Sequence, residues 1–351
     1  MMRPVSTRTG RFGLYPTGVQ MRGINVAGAE YGCDWGGFNN QTFFKWPTDA
    51  SWATRLPYLA GKGFNCIRLP ISWERLQHNL LGAFSPTYQA NLLRVVKAAS
   101  AYGFYTMVDL HNYNRYATNT HVVGTDTQTA AGAQIQQIFG DAVLTNAHVI
   151  DVWEKLAALF KNDNKVSFNL MNESHDFTVT SDNYVTNINA QIAAIRAVGA
   201  NNLILVPNSR ASDVDHWQQY SPNGGPFDSV AFVNITDSAK NYAFDMHAYW
   251  IPGSTPARYT SYANLLSEVT AWARTNKRRL FLSEIGVNEA LADGATQVQG
   301  ALAYMNDNAD VWLGWTPWDL TPYRLTDATE QADGVQMPRY AATLTANTVR
   351  A

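Results

Sequence analysis

Eight short apolar segments recur along the chain, and amphipathic windows separate most of them. The segments read as β-strands and cover residues 19–28, 64–72, 105–113, 166–173, 203–208, 242–250, 279–286 and 311–320. Helical spacing of apolar residues predicts helices over 50–62, 86–102, 147–161, 186–198, 260–276 and 296–308, with weaker signals over 211–220 and 338–348. This alternation predicts a parallel sheet covered by helices, either open or closed into a (β/α)8 barrel.

The carboxyl ends of the strands favour the barrel. Most segments end in polar or aromatic residues, namely Arg68, Asp109 with His111, Asn172 with Glu173, His247 with Tyr249, Glu284 and Trp318. A barrel gathers all strand ends around one mouth, where side chains are typically catalytic, whereas an open sheet spreads them along a crevice. No G-x-G-x-x-G follows the first strand, which removes the usual dinucleotide site. We therefore predict a single α/β domain over residues 1–351, a (β/α)8 TIM barrel with residues 1–18 as an N-terminal extension.

The composition excludes several classes of protein. The chain has 351 residues, of which 46% are hydrophobic and 15% charged, as expected for a compact globule. The net charge of −2 gives no sign of nucleic-acid binding, and the basic cluster 277–279 reads as the end of a helix. No window is apolar enough to span a membrane, and residues 1–18 lack the apolar core of an export signal. Cys33 and Cys66 are too few for a disulfide framework, and their redox state stays open.

Two glutamates interrupt the ends of predicted strands. Glu173 lies in "FNLMNESHDF" and Glu284 in "RLFLSEIG". Alternation along the strand directs one set of side chains into the barrel, namely Ser167, Asn169, Met171 and Glu173. A retaining glycosidase needs two carboxyl groups about 5–5.5 Å apart, one as nucleophile and one as acid and then base. We expect Arg68 to keep Glu284 ionised, and the less compensated Glu173 to have a raised pKa that suits an acid.

Together these motifs resemble glycoside hydrolase family 5, a family of (β/α)8 retaining glycosidases, and within it the fungal-type endo-β-1,4-glucanases. The resemblance covers about residues 21–320 and rests on "FNCIRLPISW", "VDLHNY", "NLMNESHD", "AIRAVGA", "FDMHAYW", "LFLSEIG" and "YMNDNADVWLG". It implies that Glu173 is the acid/base and Glu284 the nucleophile. It also implies roles in binding the sugar or supporting the glutamates for Arg68, His111, Asn172, His247, Tyr249 and Trp318.

The resemblance also sets expectations for the substrate. The family usually has Asn-Glu-Pro at the acid/base, and Ser174 replaces the proline here, which either loosens the turn or adds a hydrogen bond. Long segments rich in aromatic residues, over 29–49, 112–146, 221–241 and 251–259, are predicted to cover the mouth, and Tyr116 and Trp250 are the expected sugar platforms. The expected substrate is β-1,4-glucan, with mannan, xylan or another microbial β-glycan as the alternative. The protein is expected to be a secreted monomer without cofactor or metal, its export signal absent from this chain.

Three rival interpretations remain. Asp109 with His111, and Asp245 with His247, each share a strand face and could serve a metal-dependent hydrolase. A serine hydrolase is disfavoured because the chain has no G-x-S-x-G motif. A barrel that binds sugar without cutting it is the third interpretation. Ser174 is the one feature that favours it, whereas the presence of both glutamates argues against it.

Overall fold

In the part of the chain that the structure describes, the strands form a closed barrel of eight, with one additional antiparallel pair. A computed structural model describes residues 21–31, 44–118, 135–251, 255–287 and 291–318. Its strands are β1 (Met21–Asn25), β2 (Cys66–Ile71), β3 (Tyr105–Leu110), β4 (Arg115–Thr118), β5 (Ile135–Ile138), β6 (Val166–Asn169), β7 (Ile204–Val206), β8 (Tyr242–Trp250), β9 (Leu280–Val287) and β10 (Trp312–Pro317). All except β4 and β5 pair in parallel, in the closed order β1-β10-β9-β8-β7-β6-β3-β2. The predicted (β/α)8 barrel is confirmed.

Helices separate the barrel strands and cover their outer face. They are α1 (Asp49–Gly61), α2 (Trp73–Leu76), α3 (Pro86–Ala101), α4 (Asn146–Phe160), α5 (Ser181–Ala197), α6 (Asp228–Ala231), α7 (Tyr262–Leu265), α8 (Ser267–Thr275) and α9 (Gly294–Asp307). Local signals fix where they begin: Thr48 and Ser85 accept hydrogen bonds from the backbone of the first turns of α1 and α3, and Pro86 follows the second of these caps. None of the helices in the described ranges is long and apolar enough to cross a bilayer.

Two apolar clusters lie on the two sides of the sheet. The larger one fills the space between strands and helices and includes the fully buried side chains of Trp52, Trp153 and Trp312. The smaller one lies inside the barrel and consists of Met21, Cys66, Met107, Leu203, Leu205, Ala243 and Phe281. The interior is therefore packed below the mouth, which leaves the carboxyl ends of the strands as the place for polar groups.

The structure confirms all eight predicted strands and the six stronger helix windows, of which 260–276 is divided into α7 and α8. The weaker window 211–220 is not a helix. Ala211 and Ser212 have positive φ angles of 51° and 56°, and such residues interrupt a right-handed helix. The backbone of Val214 instead donates a hydrogen bond to the carbonyl of His247 at 3.1 Å. The window 338–348 lies outside the described residues.

The long segment that follows β3 contains secondary structure of its own. β4 and β5 form an antiparallel pair, with Tyr116 opposite Gln137, in a stretch where the sequence predicted only loop. The start of this segment is anchored on the barrel, because the amide of His111 donates to the carbonyl of Ile71 at 2.9 Å. The segment therefore begins at the mouth in a fixed position.

Candidate active site

The guanidinium of Arg68 is the centre of the polar cluster at the mouth. The residue lies near the middle of β2 and its side chain is fully buried. Its five N–H groups each have a partner, at 2.7–3.0 Å: Asn25, Asp109, Asn169, Asn172 and Glu284. Because a guanidinium has five donors, the group is completely satisfied and its orientation is fixed. The carboxylates of Asp109 and Glu284 keep its pKa above the ordinary value even though burial acts to lower it.

Glu284 lies on β9 and is held by both of its oxygens. Oε1 accepts from Nη1 of Arg68 at 2.9 Å, and Oε2 accepts from the hydroxyl of Tyr249 at 2.6 Å. The Nδ1 atom of His247 is 3.6 Å from Oε2. Hydrogen bonds from a cation and a hydroxyl therefore fix the orientation of the carboxyl group, as an attacking nucleophile requires.

Glu173 follows β6 but is not part of the strand. β6 ends at Asn169, so the alternation expected as far as Glu173 stops there, and Met171 packs in the outer cluster rather than inside the barrel. Glu173 itself has a φ of 39°, an uncommon conformation for a residue with a side chain. Strained backbone of this kind is concentrated at functional sites.

The side chain of Glu173 pairs with a histidine. Its Oε1 lies 2.9 Å from Nδ1 of His247. Burial acts to raise the pKa of Glu173, but the hydrogen bond and charge of His247, with the charges of His111 and Arg68, bring that pKa below its ordinary value. The expectation of a raised pKa for Glu173 was therefore wrong. For His247, burial lowers the pKa, and Glu284, Glu173 and Asp245 together raise it to about 9.

The two glutamates face each other across the mouth. One carboxylate oxygen of each, together with a ring nitrogen of His247, lie within 4.8 Å of one another. Retaining glycosidases have carboxyl groups about 5–5.5 Å apart, whereas inverting enzymes leave about 6.5–9.5 Å for a water molecule. The geometry therefore fits the short separation of a double displacement better than the longer one of an inverting enzyme.

A second histidine lies beside this pair. Nδ1 of His111 is 2.6 Å from Oδ2 of Asp109, and Nε2 of His111 is 3.2 Å from the side-chain Nδ2 of Asn172. Burial lowers the pKa of His111 and the charge of Asp109 raises it, with a net shift upward. The ring of Trp318 stacks on that of His111, with centroids 5.3 Å apart and planes 19° apart. An aromatic surface therefore borders the glutamates, as a sugar-binding site requires.

The two residues expected to stack on sugar rings, Trp250 and Tyr116, differ in how accessible their own rings are. Trp250, at the end of β8, is half-buried and stacks on Tyr262, which leaves part of its ring accessible. Tyr116 was a wrong prediction: it is 1% exposed, its ring packs edge-on against Trp73, and its hydroxyl donates to the carbonyl of Gln77 at 2.6 Å. Its role is to fasten β4 to α2, so it offers no face to a sugar.

The structure also explains the serine after the acid/base. The hydroxyl of Ser174 is 2.7 Å from that of Tyr184 on α5, and the carbonyl of Ser174 accepts from the amide of Ala211 at 2.8 Å. Of the two effects considered for Ser174, the added hydrogen bond is therefore the one observed. The turn that carries Glu173 is held without the ring of a proline.

Some residues of the cluster were not predicted from the sequence. Asn25 and Asn169 accept hydrogen bonds from Arg68, and the hydroxyl of Tyr113 lies 3.3 Å from Nε2 of His111. The strand positions of the two asparagines indicated that they face the barrel interior or its mouth, because Asn25 ends β1 and Asn169 was placed on the interior face. The sequence does not reveal, however, which side chain an asparagine binds. Tyr113 was one of the aromatic residues expected near the mouth and comes two residues after a strand-end histidine, but neither feature gives its contact with His111.

The metal-dependent interpretation is not supported by the arrangement of its residues. Within the described ranges, two groups come close enough to hold an ion: Glu173 with His247 and Glu284, and Asp213 with Asp215 and His216. Of the four residues on which that interpretation rests, only His247 belongs to one of these groups, and Asp109, His111 and Asp245 belong to neither. In both groups the histidine has a pKa raised to about 9 by the neighbouring carboxylates, so a proton competes with any metal.

Comparisons with known proteins agree with this geometry. A family model described as cellulase (glycosyl hydrolase family 5) matches residues 24–320. An endo-β-1,4-glucanase B of Aspergillus niger is 28% identical over 314 residues, which cover 86% of this chain and 81% of the relative. The matched range includes every residue of the polar cluster from Asn25 to Trp318.

Two solved structures superpose on this chain over almost its whole length. The endo-β-1,4-glucanase Xac0029 of Xanthomonas axonopodis pv. citri superposes with a TM-score of 0.75 at 30% identity, covering 94% of this chain and 98% of that one. XacCel5A in complex with cellopentaose superposes with a TM-score of 0.76 at 29% identity, covering 94% and 99% of the two chains.

Proposed function

The chain belongs to the cellulase family, glycosyl hydrolase family 5, and we propose on that basis that it is a retaining endo-β-1,4-glucanase with Glu284 as nucleophile and Glu173 as acid/base. The observation that carries the proposal is the pair of glutamates whose oxygens lie within 4.8 Å of each other, only one of which is held by Arg68. This asymmetry assigns the roles, because the carboxyl group held by Arg68 and Tyr249 is oriented for attack, whereas the one paired with His247 can exchange a proton.

In the first step, Glu284 attacks the anomeric carbon of the sugar bound at the mouth. The new bond is the ester of a glycosyl-enzyme, and the glycosidic bond breaks as Glu173 gives its proton to the leaving oxygen. Arg68 and Tyr249 hold the two oxygens of Glu284 on the line of attack. The oxygen that receives the covalent bond is thus placed before substrate arrives.

The proton for this step comes from His247. In the free enzyme the raised pKa of His247 and the lowered pKa of Glu173 keep the proton on the histidine, 2.9 Å from the carboxylate. A sugar that covers the partly exposed side chain of Glu173 removes water from the carboxylate, and this favours its neutral form. Transfer along the existing hydrogen bond then makes Glu173 an acid.

In the second step, Glu173 is again a carboxylate and accepts a proton from a water molecule. The water attacks the anomeric carbon, the ester bond to Glu284 breaks, and the sugar leaves with its original configuration. Asn172 lies between Arg68 and His111, where its amide can bind the hydroxyl next to the reacting carbon. Trp318, stacked on His111, is placed to support the ring of the same sugar.

The substrate is β-1,4-glucan. This assignment rests on the relatives, which are described as endo-β-1,4-glucanases, and on the neighbour solved with cellopentaose. We further propose that residues 1–351 form one catalytic domain and that the protein acts as a monomer. We also propose that it works outside the cell, because a glucan polymer does not cross a membrane. Trp250 extends the sugar-binding surface beyond the two glutamates.

The roles of the glutamates can be tested with azide on an aryl cellobioside that has a good leaving group. Glu284→Ala should lower kcat/KM by ~10⁴-fold or more. Azide should restore turnover and give the α-glycosyl azide, because it attacks from the side that Glu284 vacates. Glu173→Ala with azide should give the β-product, because azide then attacks the glycosyl-enzyme on the other face.

Glu154→Ala, at an exposed position on α4, is the matched control and should keep wild-type activity on soluble β-glucans. Release of reducing sugar from mannan or xylan, but not from β-1,4-glucan, would overturn the substrate. Full activity of Glu284→Ala would overturn the mechanism.

A further inference from the structure

A third glutamate lies near the active site, and the mechanism does not use it. Glu74 is in the first turn of α2, directly after the mouth end of β2, and it is 1% exposed. The ion pairs found in the described ranges do not include it. Burying a carboxylate without a cation is unfavourable unless hydrogen bonds compensate, so this residue is expected to perform a specific task.

The carboxylate of Glu74 joins α2 to the chain segment that follows β3. Oε1 accepts from the amide of Ala117 at 2.6 Å, and Oε2 accepts from Nδ2 of Asn112 at 2.7 Å and from the hydroxyl of Ser72 at 3.2 Å. The other side-chain atom of Asn112, Oδ1, accepts from the amide of Trp73 at 2.8 Å. Both ends of the segment from Asn112 to Ala117 are thereby tied to α2.

The direction of these hydrogen bonds requires acceptors on residue 74. The amide of Trp73 can only donate, so the oxygen of Asn112 must face it, and the NH₂ group of Asn112 must then face Glu74. The amide of Ala117 also can only donate. A glutamine at position 74 would satisfy one of these donors and place its own NH₂ group against the other, whichever way it turned. The site therefore selects a carboxylate.

The segment that Glu74 holds is strained and carries active-site groups. Tyr113 and Asn114 have φ angles of 54° and 57°, a conformation that residues with side chains adopt only when their surroundings impose it. The hydroxyl of Tyr113 lies 3.3 Å from Nε2 of His111, and its ring packs edge-on against those of His111 and His175.

We propose that Glu74 is a positioning residue, whose carboxylate holds the segment 112–117 in the strained form that places Tyr113 and His111 around the reacting sugar. This inference rests on the proposed function, since it concerns how that site is assembled. The residue acts through Asn112 and Ala117 and does not touch substrate. Loss of its acceptor should let Tyr113 and Asn114 relax to ordinary backbone angles and move the phenol away from the site.

The test uses a variant and its designed rescue. Glu74→Gln should lower kcat/KM on soluble β-glucan by ~10–100-fold, since small displacements of positioning groups have effects of this size. The double variant Glu74→Gln with Asn112→Asp restores the link between residues 74 and 112 in reversed polarity: the glutamine donates to one aspartate oxygen, and Trp73 donates to the other. Only the long hydrogen bond of 3.3 Å from Asn112 to the carbonyl of Arg115 is lost. It should recover activity to within ~3-fold of the wild type, whereas Asn112→Asp alone, with two facing carboxylates, should not.

All variants are assayed at a temperature where circular dichroism shows them fully folded, so lost activity does not reflect unfolding. Wild-type kcat/KM in Glu74→Gln would overturn the inference, and so would a double variant no more active than either single one. If Glu74→Gln does not fold, the double variant alone decides: a folded, active double variant supports the inference, and a folded, inactive one contradicts it. A wild type without activity on any β-glucan would instead overturn the proposed function.

Discussion

The charge of His247 depends on pH within a range that activity and stability assays can reach. An ordinary histidine titrates near pH 6.5, and this value serves for the unfolded chain. In the folded protein burial acts to lower the pKa, but Glu284, Glu173 and Asp245 raise it to about 9. Because the folded pKa is the higher one, the stabilising charge is complete below about pH 6.5. It is lost as the pH rises through about 9.

We therefore expect two alkaline transitions with the same origin. The kcat/KM of the wild type should fall above about pH 9, and its free energy of unfolding should decline between about pH 6.5 and 9. In His247→Asn the residual kcat/KM should not show this alkaline fall. The free energy of unfolding, measured in urea, should no longer depend on pH in this range. His148→Asn, at a half-buried position on α4, is the control and should keep both transitions. Their persistence in His247→Asn would assign them to another group.

At the residue scale, the sequence predicted which side chains form the site better than it predicted their pKa or exposure. Glu173, Glu284 and Arg68 could be found because a charged side chain at the end of an apolar strand is a strong signal. The pKa of Glu173 was predicted with the wrong sign, because it depends on the 2.9 Å distance to His247, which residues 74 positions apart do not reveal. Tyr116 failed for a similar reason: an aromatic residue in a mouth segment can face inward or outward.

At the scale of elements, the pairing of β8 and β9 positions the nucleophile. The register shifts after Met246, so that His247 lies opposite Glu284 and Tyr249 opposite Gly286. A Cβ atom built on Gly286 would lie 2.5 Å from two carbon atoms of the Tyr249 ring. The absence of a side chain at this position therefore lets Tyr249 reach Glu284.

Gly286→Ala should displace the ring of Tyr249 and weaken its hydrogen bond to Glu284. A hydrogen bond to a charged group contributes about 1.5–3 kcal/mol, so kcat should fall by roughly 10- to 100-fold, with a smaller change in KM. Gly300→Ala on α9, where the added atom meets open space, should keep full activity and unfold at the same or a slightly higher temperature. An unchanged kcat in Gly286→Ala would show that the hydrogen bond from Tyr249 to Glu284 does not depend on a glycine at residue 286.

The elements that the sequence predicted are those with a long, regular pattern. The eight barrel strands and the main helices have it. The antiparallel pair of β4 and β5 does not, because the four residues of Ile135–Ile138 include no buried side chain and are too few to show a period. The window 211–220 has helical spacing but turns at Ala211 and Ser212, whose left-handed backbone depends on the neighbouring β8.

At the scale of the whole molecule, Arg68 connects distant parts of the barrel. Its partners lie on or directly after β1, β3, β6 and β9, so one side chain links strands on all sides of the mouth. The catalytic cluster and the closure of the barrel therefore depend on the same group. The sequence predicted the contact with Glu284, but not this number of partners.

Arg68→Leu should destabilise the entire fold as well as abolish activity. Asp109, which is fully buried, would lose its cation, and breaking a buried ion pair by removing one partner costs about 3–5 kcal/mol. Arg94→Leu is the control, because Arg94 pairs with an Asp49 side chain that is 79% exposed, and such pairs contribute about 0–1 kcal/mol. Urea unfolding of both variants measures the difference. Equal stability of the two would contradict the role given to Arg68.

The positions of the two glutamates have a consequence for how such a protein can change. Glu284 belongs to one barrel strand and Glu173 follows another, and β7 and β8 lie between these strands in the closed sheet. The gap between the glutamates is therefore set by strand spacing, by barrel closure and by the turn after β6 that carries Glu173. Mutations that exchange mouth segments other than the stretch 112–117, which holds Tyr113 beside His111, can adapt the protein to a new glycan without changing the bond-breaking step. Selection can thus act on substrate choice and on chemistry separately.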